Sequence, residues 1–355
     1  MLVRSVTGLA EARDALLEYP TDERRQTLIF LQTEGRLDRL HQKISSEILT
    51  AGGTIFEENV FNLASTFRPV HANYVMLSTS HDGLSRWRLR TCLLRRCSGV
   101  RVAVVPILMF GSVTEYERRL KGRGDDFTTQ RQQVTIYRQG RPSMITWTGY
   151  EAGVLRFLDA SVPELSFSGL ARGVPEPLKA HYAKSGFEVL PYSKDQDELT
   201  SDWERADVYV HYNRIGETFG VSVIEAALLG LPVVFPVSPR WNHGAIEYLN
   251  GFKLLTGSKR NVRKQLVSFV LNERNDTTLP RMVPPAPPEL VDPVKHIELL
   301  KSTWTSAAPL QFAPAFSNFW QKQTAHFGRC GAMYAVLFEF FRALRAYAEA
   351  AAKRW

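Results

Sequence analysis

The sequence predicts an α/β protein built from two successive parallel-sheet units, and three observations predict it. The chain has 355 residues, more than a single core usually holds at roughly 150 residues per domain. Short β-rich runs alternate with amphipathic stretches along most of it, which is the rhythm of strand–helix–strand crossovers. Between two runs of that rhythm lies KGRGDDFTTQRQQ (121–133), polar and glycine-bearing, as an inter-domain connection requires. The expected domains are therefore 1–125, 126–279 and a closing segment 280–355, with a ligand cleft between the first two.

The first unit reads in order as a strand TLIFLQ (27–32), a helix LDRLHQKISSEILTAGG (37–53), a strand TIFEE (54–58), a strand NYVMLS (73–78), a helix SRWRLRTCLLRRCSG (85–99) and a strand VRVAVVPI (100–107). The second reads as QVTIYRQG (133–140), a helix EAGVLRFLDA (151–160), ELSFSG (164–169), a helix LKAHYAKSG (178–186), FEVLPY (187–192) and DVYVHY (207–212). PRMVPPAPPELVDP (280–293) has six prolines in fourteen residues; it should be extended and cannot enter a sheet interior. The end of the chain, about 315–355, is aromatic-rich helix whose apolar excess needs a surface. It is expected to pack back on the N-terminal unit rather than lie on a membrane, because its polar face is not densely basic.

Composition sets limits. With 44% apolar and 23% charged residues the chain is an ordinary globular protein. Forty-four basic against thirty-six acidic side chains give +8, which favours anionic partners such as phosphorylated ligands, acidic lipid or nucleic acid without choosing among them. Cys92, Cys97 and Cys330 have no metal-ligand spacing, so they indicate a reducing, cytoplasmic compartment, with attachment to a membrane periphery left open. Charges interrupt MLVRSVTGLAEARDALLEYPTDERR, and MYAVLFEFF (333–341) is broken by Glu339, so neither a secretory signal nor a spanning helix is expected.

GETFGVSVIEAALLGLPVVFP (216–236) carries two acids, Glu217 and Glu225, in an almost wholly apolar run. It parses as loop, helix, stop and strand: Asn213 and Gly216 turn, a helix runs from about Thr218 to Leu229, and Gly230 with Pro232 ends it. A helix apolar nearly all round is buried on most faces. Burying an unpaired carboxylate costs several kcal/mol, about the scale of a lost ion pair. Glu225 must then either meet a basic partner in the protein or lie where a ligand supplies donors. A lone helix-start glutamate such as Glu217 is commonly explained by the helix dipole. Here it is followed by the amides of Phe219 and Gly220, which suit phosphate oxygens, and by a second acid two turns on. That order of groups suits the hydroxyl, phosphate and hydroxyl groups of a nucleotide-sugar.

The run ETFGVSVIEAA followed by GLPVV resembles the E-x-F-G-x-x-x-x-E-A signature of retaining family 4 glycosyltransferases, enzymes of the GT-B architecture with two Rossmann-like domains facing across a cleft. The resemblance covers roughly 134–256. It implies that Glu217 contacts the donor sugar, that Glu225 contacts the ribose, and that Thr218, Phe219, Gly220 and Val221 line the sugar and diphosphate. It also places Gly140 and Arg141 at the diphosphate, although no lysine follows within Ser143–Trp147 as the family usually has. Arg172 or Arg214 is expected to compensate, and Pro191 and Tyr192 to lie by the nucleobase. Glu247 corresponds to a structural glutamate. In the N-terminal unit the resemblance is one of outline; topology sets Glu34, Gly35 and Arg36 under the phosphates, and His81, beside Asp82, is offered as an acceptor-side residue.

Asp195-Gln196-Asp197 matches a metal-binding D-x-D, but it opens a helix, where acids favour the N-terminal dipole, so no metal or other cofactor is expected. Residues 86–101 hold six arginines and no acid around an apolar stripe of Leu89, Leu93, Cys97 and Val100. Their basic face is either solvated or directed to acidic lipid or a nucleic-acid backbone. The implied activity is metal-independent, retaining hexosyl transfer from a nucleotide-diphosphate sugar to a glycan or lipid-linked acceptor. Transfer to hydroxylated bases in DNA, and a non-catalytic nucleotide-sugar-binding module, are the competing readings.

Overall fold

The computed structural model describes residues 3–6, 28–31, 74–78, 85, 86, 89, 100–104, 106, 109, 110, 112–122, 133–144, 147–193, 195–213, 216, 217, 220–240, 242–275, 284–292, 294–296, 298, 299, 302, 308, 309 and 312–352. The chain divides into two compact units: Met1–Gly111 together with Pro288–Trp355, and Ser112–Pro287. The first crossing thus precedes the polar stretch 121–133, because the helix before that stretch belongs to the second unit.

In the first unit β1 (Val3–Val6) pairs in parallel with β2 (Leu28–Leu31), and β3 (Tyr74–Ser78) in parallel with β4 (Val100–Val104). The helix expected over 37–53, the strand over 54–58 and most of the helix over 85–99 lie outside the described residues.

The second unit begins with α1 (Val113–Gly122) and continues through β5 (Gln133–Gln139), α2 (Tyr150–Ser161), β6 (Ser166–Arg172), α3 (Glu176–Lys184), β7 (Phe187–Leu190), α4 (Gln196–Arg205) and β8 (Val208–Val210). After β8 come β9 (Gly216–Glu217), α5 (Val221–Leu228), β10 (Val233–Pro236), β11 (Asn242–His243), a 3-10 turn over Gly244–Tyr248, β12 (Leu254–Gly257) and α6 (Lys259–Asn275). Six strands form one sheet in the order β12-β10-β8-β5-β6-β7, with every pairing parallel. Val208, Val210, Val233 and Val234 are fully buried, as expected of strands covered on both faces. Helices α2 and α6 supply Leu155, Leu158, Val262 and Leu266 to the same core.

The chain then returns to the first unit through α7 (Pro288–Val291), β13 (Ala308–Pro309), antiparallel to β4, and α8 (Phe312–Ala352). The proline-rich stretch is therefore not extended throughout. Pro288 opens a helical turn, a position where its missing N–H costs nothing, and Leu290 accepts a hydrogen bond from Met109 N at 2.8 Å.

Helix α8 is broken at Gly328, whose φ of 69° lies in the left-handed region. Phe319 and Ala335 pack with Leu89. Arg86 corrects the expectation of a solvated arginine face: it is 1% exposed and bonds Glu339 Oε1 at 3.1 Å and Gln323 Oε1 at 3.3 Å. Among the described residues no helix is long and apolar enough to cross a membrane.

Candidate functional site

The strand order identifies where a ligand would meet the second unit. From β5 the chain builds outward through β6 and β7, then returns to the other side of β5 with β8. At such a reversal the loops leaving the two adjacent strands part in opposite directions, and a crevice opens at their carboxyl ends. The loop after β5 begins with Gly140 and Arg141, and the loop after β8 leads to Glu217 and Gly220. Two stretches distant in sequence thus leave neighbouring strands at the same edge of the sheet.

On the β5 side the backbone is tightly held. Gly140 N–H donates to Arg172 O at 3.1 Å, and the buried Trp147 indole donates to Arg141 O at 2.8 Å. The indole thereby anchors the turn in the segment where no lysine follows Gly140–Arg141, while the Arg141 side chain is exposed. Gly173 has φ of 83°, and a Cβ there would lie 2.0 Å from Gly140 O and 3.2 Å from the Tyr192 ring. Only glycine permits this approach, which draws the loop after β6 against Gly140 and Tyr192.

Arg172, offered to the phosphates by the sequence reading, is buried at the end of β6. Its guanidinium donates to Asp202, to Glu198 Oε2 at 2.8 Å and to Pro191 O at 3.1 Å. The hydrogen bond it donates to Asp202 holds its pKa above the ordinary arginine value, against the effect of burial. Arg172 thus ties α4 to the loop that carries Pro191 and Tyr192, both exposed.

On the β8 side, β9 pairs in parallel with β11, which sets Glu217 opposite His243. Helix α5 starts at Val221 rather than Thr218, because Gly220 adopts a left-handed conformation, φ 73°, as its N-cap. Amides of a first turn face outward from a helix end and attract anions; here that turn begins at Val221, which is 38% exposed.

Glu225 has found a protein partner. Arg119 of α1 donates from Nη1 to its Oε1 at 2.9 Å and from Nη2 to Glu115 at 3.0 Å. Burial raises the Glu225 pKa, and Arg119 pulls it back toward ionisation. The Tyr116 hydroxyl donates to Leu228 O at 3.3 Å, a second tie between α1 and α5.

A buried polar chain underlies both loops. Glu151 accepts from the Tyr182 hydroxyl at 2.6 Å and from Arg138 Nε at 3.2 Å. Arg138 Nη1 reaches the Tyr209 hydroxyl at 3.3 Å, and that hydroxyl lies 2.9 Å from Ser222 Oγ in the first turn of α5. Burial and the Glu151 carboxylate push the Tyr182 pKa far up, so it remains a donor. Helix α2, β5, β8 and α5 are thereby linked beneath the crevice. Sequence reasoning missed Arg138, Glu151, Tyr182 and Arg119. The available signal was a charge inside the β-rich run TIYRQ.

Gly35, His81, Arg214, Thr218 and Phe219 lie outside the described residues, as do Glu34, Arg36 and Asp82. Glu247 lies within the 3-10 turn after β11. Asp195 caps α4, accepting from the N–H groups of Asp197 and Glu198. Among the described residues no group of three or more His, Cys, Asp or Glu could hold a metal ion.

No protein-family model matches the chain, and no curated protein matches it in sequence. Solved structures do resemble it. Trehalose-6-phosphate synthase OtsA matches with a TM-score of 0.50 at 12% identity, over 86% of this chain and 79% of that one. HepE of Anabaena, solved with UDP-glucose, matches with a TM-score of 0.49 at 15% identity, over 83% and 81%. WaaG, a glycosyltransferase of lipopolysaccharide biosynthesis, matches at 0.44 and 14% identity, over 82% and 80%. The parallel six-stranded sheet and the likeness to OtsA agree on one fold: the chain has the α/β fold of the GT-B glycosyltransferases.

Proposed function

We propose that the protein is a retaining glycosyltransferase that takes its sugar from a nucleotide diphosphate. The observation that carries this reading is the reversal point between β5 and β8, to which the fold brings both Gly140–Arg141 and the Glu217–Glu225 segment. In this reading the diphosphate lies against the first turn of α5, where Gly220 lets it approach the backbone closely. Val221, Thr218 and Phe219 line it, and Glu217 orients the sugar hydroxyls. Pro191 and Tyr192 border the nucleobase on the loop steadied by Arg172, and Glu225, held by Arg119, accepts from the ribose.

As the bond to the diphosphate breaks, positive charge develops on the sugar and negative charge on the leaving phosphate. Helix amides, with Arg141 and Arg214 assigned to the same phosphate, stabilise the latter, which is electrostatic catalysis. The acceptor hydroxyl attacks from the face the diphosphate leaves, and a phosphate oxygen takes its proton. The reading assigns the leaving-group charge to amides and guanidinium groups and so requires no metal. His81 and Gly35 are assigned to the acceptor and phosphate sides. The acceptor is a glycan or a lipid-linked glycan on the cytoplasmic side. The DNA alternative drew on the arginine run 86–101; Arg86 being buried on Glu339 removes part of that support.

A panel of nucleotide-diphosphate sugars, followed by titration calorimetry and product detection, tests the proposal. At least one donor should bind and be slowly hydrolysed without acceptor, and Glu217→Ala should lower that rate by about a hundredfold or more, the usual scale for losing a transition-state contact. Binding without hydrolysis or transfer would make the protein a nucleotide-sugar-binding module. No binding by any donor, with Glu217→Ala silent, would sink the reading.

A further inference from the structure

Beyond Gly328, helix α8 faces the wrong way for a surface helix. Its buried positions are Ala332, Ala335, Glu339 and Ala343, three small residues and an acid. Its exposed large apolar positions are Met333, Tyr334, Leu337, Phe340, Phe341 and Leu344, with Phe341 63% and Met333 52% exposed. A helix that only covered a core would turn its phenylalanines inward and its charge outward. Here Arg86 neutralises the inward acid at 3.1 Å, and the large apolar side chains form one continuous outward stripe. Contiguous apolar surface of this kind marks an interaction face.

Charge decides what that face meets. Over 329–345 the basic residues are Arg329, Arg342 and Arg345, and the single acid, Glu339, is the one buried on Arg86. At about 100° per residue, Arg329 and Arg345 fall about 80° to either side of Leu337, one along each margin of the stripe. Both are exposed. A second copy docked on the stripe would bring these arginine margins together, and like charges oppose each other. An anionic lipid surface complements both parts: acyl chains receive the apolar stripe and headgroups receive the flanking guanidinium groups.

We propose that α8 from Arg329 to Arg345 is an interfacial helix that seats the protein on an anionic membrane surface, lying in the plane of the headgroups. The proposal stands apart from the donor-site reading, since it needs neither a sugar nor a nucleotide.

Flotation of the full-length protein with vesicles tests it, using phosphatidylcholine alone or mixed in equal parts with phosphatidylglycerol. We expect at least about tenfold more protein on the anionic vesicles, in keeping with about 1 kcal/mol per arginine near such a surface. Leu337→Ser with Phe341→Ser should abolish binding while circular dichroism stays unchanged. Arg329→Glu with Arg345→Glu, a variant that leaves the stripe intact, should remove the preference for anionic lipid. Absence of binding to anionic vesicles overturns the proposal, as does binding that survives both variants. So does a lipid-free dimer, seen by sedimentation, that Leu337→Ser with Phe341→Ser dissociates, because the stripe would then be a face between copies.

Discussion

Helices α5 and α8 each carry a glutamate in an apolar run, and each glutamate meets an arginine, yet the two helices are used in opposite ways. In α5 the apolar residues Val223, Ile224, Ala226 and Ala227 are buried, and Glu225, 12% exposed, meets Arg119 at 2.9 Å. In α8 beyond Gly328 Glu339 is wholly buried against Arg86, and Met333, Leu337, Phe340, Phe341 and Leu344 face outward. An acid in an apolar helix therefore does not say which face is buried. The size of the residues sharing its face and the place of its partner say so.

The largest expected effect separates the two ion pairs. Arg86→Met leaves Glu339 charged and buried, which should cost about 3–5 kcal/mol in denaturant unfolding, and adding Glu339→Leu should recover most of it. Arg119→Met should cost less, because Glu225 retains some access to water. Equal losses would break the comparison.

A smaller effect concerns the pH dependence of the α5 pair. Burial raises the Glu225 pKa above its ordinary value of 4.5, with Arg119 opposing. The native state then holds this proton more tightly than the unfolded state, so its contribution is fully present below the unfolded pKa and falls away as pH rises through the folded value. The stability of the natural protein relative to Glu225→Gln should therefore decline as pH rises from 4.5 upward. A relative stability that climbs across that window would assign the opposite shift.

The smallest effect tests the outward stripe. Phe341→Ser should change stability by no more than about 0.5 kcal/mol, the usual range for surface substitutions. A loss of about 3 kcal/mol or more, the scale for emptying a core of a phenylalanine, would show that the side chain packs inward.

Much of the second unit was legible in the sequence. Gln133–Gln139, Ser166–Arg172, Phe187–Leu190 and Val233–Pro236 are strands where β-rich runs predict them, since buried parallel strands are apolar on both faces. The cap at Asp195 was legible because capping is a local contest between a side chain and neighbouring amides. The start of α5 was misread by three residues, because Thr218 and Phe219 are acceptable helix formers and nothing in the letters reveals a left-handed Gly220. Arg172 reads as a phosphate ligand, since Glu198 and Asp202, which hold it, lie 26 and 30 residues away in sequence.

The sequence by itself determined the alternation of strands and helices, the position of the Glu217–Glu225 segment after a buried strand, and its likeness to a nucleotide-sugar signature. These are short-range properties, set by side-chain periodicity, turn residues and spacing. Only the tertiary structure decided which partner neutralises each buried acid: Arg119 is 106 residues from Glu225, and Arg86 is 253 from Glu339. It also decided that α8, beyond Gly328, turns Phe340 and Phe341 outward. Charge pairing and burial depend on which surfaces the fold brings together, and that choice is made by packing across the whole unit rather than along the chain.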